Sequence, residues 1–172
     1  GKRLVGASTI TQQVAKNFLL SSERSLTRKI KEAVLAYRIS KAYSKEHVLE
    51  LYLNEIYLGN RAYGVAAAAL NYFNKALSEL TIEEAAYLAA LPKGPNNYNP
   101  QKRYDAAVAR RNWVIGRMAE DGYISEEQAE AAKQKPLETV ERKFGYLEDG
   151  EYFSDEVRRL LSKSLGEDAV FE

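Results

Sequence analysis

Cysteine is absent from the sequence, and histidine and tryptophan each occur only once. The chain therefore has no disulfide framework, and none of its His, Asp and Glu residues have the spacing of a zinc site. It also has no glycine-rich nucleotide-binding loop. No apolar run approaches the roughly 18 residues of a membrane-spanning helix, so a membrane anchor, if the protein uses one, is expected outside this sequence.

A large charge of either sign is lacking as well. The 25 Lys and Arg residues are offset by 24 Asp and Glu residues, which leaves a formal net charge of +1. This balance argues against an extended nucleic-acid interface, so any anion-binding site must be local. With 172 residues, of which 45% are hydrophobic, the chain is long enough for one ordered domain with a substantial core.

Capping signals and apolar spacing predict helices along most of the chain. Thr9 and Gln12 have capping-box spacing ahead of apolar residues at steps of four, which predicts a helix from about Ile10 to Leu20. A second helix is predicted from near Ser25 to about Ala42. Its buried stripe is expected to consist of Leu26, Ile30, Ala33, Val34 and Tyr37. Arg28, Lys29 and Glu32 are displaced from that stripe.

The third helix is predicted to begin after Ser44, which can cap it, and to end at Gly59 and Asn60. Its broad apolar stripe suggests a central position. Further helices are expected from Gly64 to Phe73, from Thr81, from Tyr104 to Asp121, from Ser125 and from Ser154 to about Leu165, with a loop from Pro92 to Pro100. In the Tyr104 helix, the side chains available for burial are Val108, Trp113, Val114 and Met118. Together these patterns predict an all-α protein.

Basic residues are concentrated around the first two predicted helices. They are Lys16, Arg24, Arg28 and Lys29. Two helices joined by a short turn can bring these cations together, and a diphosphate would match them because Arg and Lys form charge-assisted hydrogen bonds with phosphate oxygens. Hydroxyl groups and free N–H groups at the start of the first helix would add donors. The alternative is an exposed ladder of salt bridges, in which Arg28 and Lys29 only balance Glu32.

A second polar set lies on the third predicted helix and consists of Lys45, Glu50 and Asn54. Glu50 and Asn54 are four residues apart, and a pair that stabilises the helix or is buried for structural reasons is the simpler interpretation. His47 is expected to be an exposed residue of the first turn. Glu32 can balance charge, position a donor or transfer a proton, and spacing alone does not separate these roles.

The segments "GASTITQQVAKN", "RKIKE", "KEHVLELYLNEIYLGN" and "RRNWVIGRM", in this order, resemble the peptidoglycan glycosyltransferase domain of family 51. This domain is found in bifunctional class A penicillin-binding proteins and in monofunctional glycosyltransferases. The resemblance implies a lysozyme-like, mainly α-helical fold with a larger globular lobe and a smaller membrane-contacting lobe. It also implies an enzyme that polymerises lipid II into β-1,4-linked glycan strands with inversion and releases undecaprenyl pyrophosphate.

The resemblance assigns roles to particular residues. It implies that substrate is bound by Ser8, Thr9, Gln12, Gln13, Lys16, Asn17, Arg24, Arg28 and Asn54. Lys29 and Glu32 are implied as catalytic residues, with the cations stabilising the departing pyrophosphate. The family's fourth motif is matched by Lys45, Glu50, Tyr52, Asn54, Tyr57 and Gly59, and its fifth, mostly structural motif by Arg111, Val114 and Met118.

The sequence departs from the family at one place. The family's first motif, E-D-x-x-F-x-x-H-x-G, carries the proposed general base and should precede "GASTITQQ", but residues 1–172 do not contain it. The chain is therefore expected to be one glycosyltransferase domain, 1–172, that lacks its first motif. No cofactor is required by this interpretation, although it leaves room for a divalent metal such as Mg²⁺ or Mn²⁺.

The partners implied by the resemblance are lipid II, the growing lipid-linked strand, the membrane surface and moenomycin-type inhibitors, with no nucleic acid. A transpeptidase domain is expected elsewhere in a bifunctional parent protein. The implied location is the extracytoplasmic, periplasmic face of the cell membrane, with bilayer contact at "GKRLVG" and "NFLL" and a transmembrane anchor outside this chain. Two other functions stay open, namely a lysozyme-like glycan hydrolase and a non-catalytic module that binds lipid-linked precursors.

Overall fold

The computed structural model of the protein describes residues 8–18 and 26–140. Within these ranges the chain forms seven α-helices, three short 3₁₀ turns and no β-strand, which confirms the predicted all-α class. The helices are α1 (Ile10–Phe18), α2 (Leu26–Ala42), α3 (Lys45–Glu55), α4 (Val65–Phe73), α5 (Ile82–Ala90), α6 (Tyr104–Glu120) and α7 (Glu126–Gln134). The 3₁₀ turns cover Leu77–Glu79, Leu91–Lys93 and Pro95–Tyr98, and the last two lie in the predicted loop.

Several helices begin where local capping signals predicted. The Thr9 backbone N–H donates to Gln12 Oε1 at 3.1 Å, and the Gln12 N–H donates to Thr9 Oγ1 at 3.2 Å. Ser125 and Gln128 make the same reciprocal pair at the start of α7. These bonds satisfy N–H groups that have no partner inside the helix, and therefore fix the first turn.

The end of α3 differs from the prediction. The helix stops at Glu55 instead of continuing to Gly59, because Ile56 adopts an extended conformation. The following residues fold into a tight turn in which Tyr57 and Tyr63 form an isolated antiparallel bridge. The α6 boundaries agree with the sequence to within one residue. Leu19, Leu20 and the helix predicted from Ser154 to Leu165 lie outside the described residues.

Three groups of buried apolar side chains hold these helices together. The first joins α1, α2 and α3 through Val14, Ala15, Ala36, Ile39, Val48 and Tyr52. The second contains fully buried Ala68 and Ala69 of α4 beside Tyr87 of α5. The small side chains that were predicted to allow close helix packing are thus buried in the core. The third, around Ile115, joins α5, α6 and α7.

The predicted buried stripe of α2 is wrong. Leu26 and Ile30 are 85% and 65% exposed, and Ala33, Val34 and Tyr37 are also exposed. The helix instead buries Glu32, Ala36 and Ile39. Apolar periodicity selected the wrong face because a carboxylate can be buried when cations pair with it and donate hydrogen bonds, which hydropathy does not register.

Burial on α6 also differs from the prediction at one position. Trp113 is more than half exposed, and its ring is covered by the Arg110 guanidinium at 4.0 Å from the centroid. The residues buried on this helix are Ala107, Arg111 and Ile115, while Val108, Val114 and Met118 are partly buried against the core. Among residues 8–18 and 26–140, none of the helices combines the length and apolar composition needed to cross a bilayer.

Candidate functional site

A buried carboxylate surrounded by cations lies where α1 meets α2. The Glu32 side chain of α2 is almost inaccessible, with 1% of its surface exposed. Lys29 Nζ lies 2.8 Å from Glu32 Oε2, and Arg28 Nε lies 3.2 Å from Glu32 Oε1. Helical spacing produces this arrangement, because residues three and four positions apart share a helix face.

Lys29 also connects the two helices. Its Nζ donates to Ser8 Oγ at 3.2 Å, so one ammonium bridges the residues before α1 and the carboxylate in α2. The shared core of Val14, Ala15, Ala36 and Ile39 holds the helices in this register. Ser8 and the segment "RKIKE", which are separated along the chain, therefore meet in space.

The electrostatic balance of the cluster favours an ionised Glu32. The hydrogen bond from Lys29 is the largest influence and lowers the pKa of Glu32 below its ordinary value of 4.5. Burial opposes this shift, whereas attraction from Lys29, Arg28 and Lys16 adds to it. At neutral pH one carboxylate thus faces the charges of Arg28, Lys29 and Lys16. Counted over the described residues, cations outnumber carboxylates in this cluster, which favours the binding of an anion.

The other residues predicted from the first helix divide into two groups. Thr9 and Gln12 form the cap of α1, so their side chains already serve the helix start. Gln13, Lys16 and Asn17 line an open cavity. Lys16 therefore lines the cavity and also belongs to the cation cluster, since its charge acts on Glu32. Arg24 lies outside the described residues.

The cavity has a volume of about 420 Å³ and separates α1 from the segment that follows α3. Its lining consists of Gln13, Lys16, Asn17, Glu55, Ile56, Tyr57 and Tyr63. Asn54, predicted to bind substrate, is exposed and does not line this cavity. Glu55 and Tyr63 were missed by sequence reasoning, because their participation depends on how the chain turns after α3.

The turn between Tyr57 and Tyr63 is tightly constrained. Its Gly59, Asn60 and Arg61 all have positive φ angles, of 84°, 48° and 58°. Residues other than glycine rarely adopt this backbone conformation, so surrounding contacts must hold it in place. Helix α4 supplies them, because Tyr72 Oη donates to the Leu58 carbonyl at 3.0 Å and Asn71 Nδ2 donates to the Asn60 carbonyl at 3.3 Å.

Glycine is required at the end of this turn. Gly64 has φ +80°, and a Cβ atom there would lie 2.4 Å from the Asn54 carbonyl oxygen, which belongs to the backbone. Its own N–H donates to the Ile56 carbonyl at 2.8 Å. Gly64 therefore allows the chain to pass close to the end of α3, which fixes the position of Tyr63 beside Tyr57.

The second polar set from the sequence does not join this site. Glu50 lies 3.2 Å from His47 Nδ1, and Lys45 lines a different, largely apolar cavity. Both Glu50 and Asn54 are exposed, which excludes the buried alternative for this pair and leaves the helix-stabilising one. His47 is an exposed first-turn residue, as expected. Within the described part of the chain, no group of three or more His, Asp or Glu residues is arranged to hold a metal ion.

Comparisons with known proteins identify the family of the chain. A family described as Transglycosylase matches residues 1–119. The chain is 51% identical over 170 residues to penicillin-binding protein 1A of Rickettsia felis, covering 99% of this chain and 22% of that protein. It is 48% identical over 164 residues to penicillin-binding protein 1A of Escherichia coli, covering 95% of this chain and 19% of that protein.

A solved structure gives a similar result. The 2.6 Å crystal structure of penicillin-binding protein 1A from Haemophilus influenzae aligns with a TM-score of 0.54 and 35% sequence identity. The alignment covers 94% of this chain and 21% of that one. The chain thus spans about a fifth of the length of these relatives. On the family match and these identities, the chain belongs to the transglycosylase family, a family of glycosyltransferases.

Proposed function

We propose that this chain is the peptidoglycan glycosyltransferase domain of a cell-wall synthase similar to penicillin-binding protein 1A. It would polymerise lipid II into β-1,4-linked glycan strands. The observation that carries the proposal is the contact of Lys29 with both Ser8 and Glu32, in a cluster where positive charge exceeds negative charge. A diphosphate leaving group has the charge and the acceptor oxygens that this cluster requires.

The proposed reaction is an inverting glycosyl transfer. The 4-hydroxyl oxygen of the acceptor sugar forms a bond with the anomeric carbon of the donor, and the bond from that carbon to the diphosphate oxygen breaks. Undecaprenyl pyrophosphate leaves with the bonding electrons. Lys16, Arg28 and Lys29, with Arg24 from outside the described residues, stabilise the charge that develops on it, an effect worth several kcal/mol at such sites.

Glu32 has a positioning role in this proposal. It accepts from Lys29 at 2.8 Å and pairs with Arg28 at 3.2 Å, which aims both cations toward the diphosphate. Its lowered pKa makes it a weak base, so it is poorly suited to take the proton of the acceptor hydroxyl. That role is assigned to the glutamate of the family's first motif, which residues 1–172 do not contain.

Thr9, Gln12 and Asn54 complete the proposed set of substrate-binding residues. The cap bonds occupy one acceptor atom each on Thr9 and Gln12, yet both residues lie at the α1 start beside Ser8. Asn54 is exposed next to Glu55, at the end of α3. A change at any of these is expected to weaken polymerisation less than a change at Lys29.

Membrane contact forms part of the proposed function, because the substrate carries a polyprenyl tail. The exposed apolar face of α2 includes Leu26 and Ile30, and exposed Lys31, Arg38 and Lys41 lie on the same helix. An apolar face bordered by cations suits a bilayer containing anionic lipids. Of the segments predicted from the sequence to contact the bilayer, "GKRLVG" lies outside the described residues, and "NFLL" lies outside them from Leu19 onward.

The proposal also includes the remaining implications of the family. These are a lysozyme-like arrangement of a larger and a smaller lobe, an extracytoplasmic position at the cell membrane, binding of moenomycin-type inhibitors and a transpeptidase domain elsewhere in the parent protein. The similarity to penicillin-binding protein 1A from several bacteria supports them.

Product analysis tests the function directly. The parent protein should convert lipid II into long glycan strands and release one undecaprenyl pyrophosphate for each bond formed. Shortening of finished glycan without strand growth would instead identify a hydrolase. Lipid II binding without turnover in the parent protein would identify a non-catalytic module.

A further inference from the structure

An exposed tryptophan lies in the middle of α6. Trp113 is the only tryptophan of the chain, and 54% of its surface is exposed. It projects from a helix whose buried side chains are Ala107, Arg111 and Ile115. A single exposed apolar side chain is ordinary on a protein surface and by itself indicates nothing. The residues that surround this one on α6 are what distinguish it.

An arginine is stacked on the exposed ring. The Arg110 guanidinium lies 4.0 Å from the Trp113 ring centroid, a contact that orients its planar donor groups. Among residues 8–18 and 26–140, no carboxylate forms an ion pair with Arg110. Arg117, further along the same helix, is by contrast neutralised by Glu120 and Asp121. Arg110 is therefore an oriented cation that still lacks a carboxylate.

A glycine beside the tryptophan has no packing reason within the chain. Gly116 lies one helical turn after Trp113, and a Cβ atom built on it would meet nothing within 4 Å. Glycine in the interior of a helix is less stable than alanine, so its presence there calls for another explanation. The residue one turn before Trp113 is Ala109, which is exposed. Small residues on both sides of the ring leave room for a second molecule to approach α6 closely.

Positive charge is in surplus around the first half of α6. Lys102 and Arg103 are exposed, and Arg103 precedes Arg110 by seven residues, which places both on one helix face. Between Lys102 and Trp113, the only carboxylate of the sequence is Asp105. The surface that complements this region is acidic.

We infer that the Trp113 face of α6, formed by Ala109, Arg110, Trp113 and Gly116, docks an acidic segment of another protein. A carboxylate of that segment pairs with the Arg110 guanidinium, and an apolar side chain packs on the Trp113 ring. Tryptophan and arginine are the residue types that most often dominate the binding energy of protein interfaces. Because the ring already holds the guanidinium, less conformational freedom is lost on binding. This inference does not rest on the proposed reaction.

A protein segment suits this face better than other acidic partners. A bilayer with anionic lipids requires a broad apolar face, whereas the Trp113 face offers one ring between small residues. Nucleic acid requires an extended run of cations, but the chain carries a net charge of only +1, and Arg117 is already paired. One oriented arginine beside one exposed ring matches a carboxylate that is next to an apolar side chain.

The fluorescence of Trp113 reports binding without a label, because the chain has no other tryptophan. The probe is a helical peptide that carries Glu and Leu on one face, and the control peptide has Gln in place of every Glu. The acidic peptide should shift the emission of the 172-residue chain to shorter wavelength with saturation. The control peptide should bind at least fivefold more weakly. Vesicles of anionic lipid should leave the emission unchanged.

Two variants test the contacts separately. Arg110→Gln should weaken binding of the acidic peptide at least fivefold, whereas Arg38→Gln, at an exposed arginine of α2, should keep it within twofold. Gly116→Ala should raise the melting temperature, since the added methyl group improves helix propensity and meets nothing in the chain, yet it should weaken peptide binding because it blocks close approach. A glycine kept for internal packing would instead give a lower melting temperature.

Several results would overturn the inference. They are the absence of an emission shift with the acidic peptide, equal affinity for the two peptides, and full affinity in Arg110→Gln. An equal shift with anionic vesicles would assign the Trp113 face to a membrane instead. In the parent protein, the Trp113 contribution is the difference between the emission of wild type and of Trp113→Phe. Protection of that contribution from acrylamide quenching would show that the parent protein itself covers the face, which also contradicts a separate partner.

Discussion

Glu32 in α2 and Glu84 in α5 are both largely buried carboxylates that pair with lysine, yet their surroundings differ. Glu84 accepts from Lys75 at 2.7 Å and from the Thr81 backbone N–H at 2.9 Å. Burial acts to raise the pKa of Glu84, but the hydrogen bonds from Lys75 and Thr81 outweigh it and leave the pKa below 4.5. Glu32 has a lowered pKa as well, but it faces Lys29, Arg28 and the more distant charge of Lys16.

The difference separates a structural ion pair from the proposed binding site. One lysine neutralises Glu84, and the pair links α4 and α5 through the residues at their ends. Among the residues that the structure describes, the Glu32 cluster has more cations than carboxylates. It also contacts the hydroxyl of Ser8 and shares Lys16 with an open cavity. Carboxylate burial is therefore a poor guide to function, whereas surplus charge beside open space is informative.

The largest expected difference between the two regions is in activity. In the parent protein, Lys29→Ala should reduce lipid II polymerisation at least tenfold, about 1.4 kcal/mol, because it removes a charge that stabilises the leaving group. Lys16→Ala should act in the same direction. Steady-state rates of strand synthesis provide the measurement.

Lys75→Ala is the matched control for these variants. It removes a lysine from the partly buried Glu84 carboxylate in α5, and it should leave the polymerisation rate within twofold. Thermal unfolding should show nearly unchanged melting temperatures for Lys29→Ala and Lys16→Ala. Wild-type activity in both of these variants would contradict the role of the cluster.

The next largest effect is a contrast between stability, which Glu84 should support, and activity, which Glu32 should support. Glu84→Gln should lower the free energy of unfolding by about 1–2 kcal/mol, because it weakens charge-assisted bonds with Lys75 and Thr81, while polymerisation continues. Glu32→Gln should instead cause a large loss of rate in a protein that still folds. Chemical denaturation and rate measurements on both variants test the contrast. An unfolded Glu32→Gln protein with a fully active Glu84→Gln protein would favour a purely structural role for Glu32.

A smaller effect concerns the exposed face of α2. Ile30→Gln should change the free energy of unfolding by no more than about 0.5 kcal/mol, because the side chain is 65% exposed. Binding to vesicles that contain anionic lipids should fall roughly threefold, since less apolar surface enters the bilayer. Leu70→Gln, at a partly exposed leucine of α4, should not alter vesicle binding in a flotation assay. Equal losses in both variants would argue against a specific contact through α2.

The smallest effect is on stability in acid. The folded pKa of Glu84 lies below 4.5, so the unfolded chain binds more protons in that range. The stabilisation is complete above the unfolded pKa and is lost as pH falls through the folded pKa. Wild-type protein should therefore lose stability more steeply than Glu84→Gln below about pH 4.5. Urea unfolding between pH 3 and 7 tests this, and parallel curves would show that Glu84 does not contribute.

Much of the fold could be predicted because its signals are local. The reciprocal bonds of Thr9 with Gln12 and of Ser125 with Gln128 involve neighbours in sequence, so capping patterns located both helix starts. The grouping of Lys16, Arg28 and Lys29 was also predictable, because a short connection between two helices limits how far apart they can be.

The features that escaped prediction depend on distant contacts. The burial of Glu32 on α2 is supported by the charge of Lys16 on α1 and by Ser8, which lies before α1 and accepts from Lys29. These contacts are distant in sequence and do not follow the apolar periodicity of Leu26 and Ile30. The turn after Glu55 depends on hydrogen bonds from α4 to residues in unfavourable backbone conformations. No pattern within "NEIYLGNRAYG" specifies those bonds, so Tyr63 could not be placed in the cavity from sequence.

The central claim is that the cluster around Glu32 binds a diphosphate, and calorimetric titration with farnesyl pyrophosphate tests it most directly. Farnesol shares the apolar chain but lacks the phosphates, so a comparison of the two isolates the contribution of charge. The account predicts that the chain binds farnesyl pyrophosphate much more tightly than farnesol. The affinity should fall at least tenfold in Lys29→Ala and stay unchanged in Lys75→Ala. Equal binding of farnesol and farnesyl pyrophosphate, or full affinity in Lys29→Ala, would contradict it.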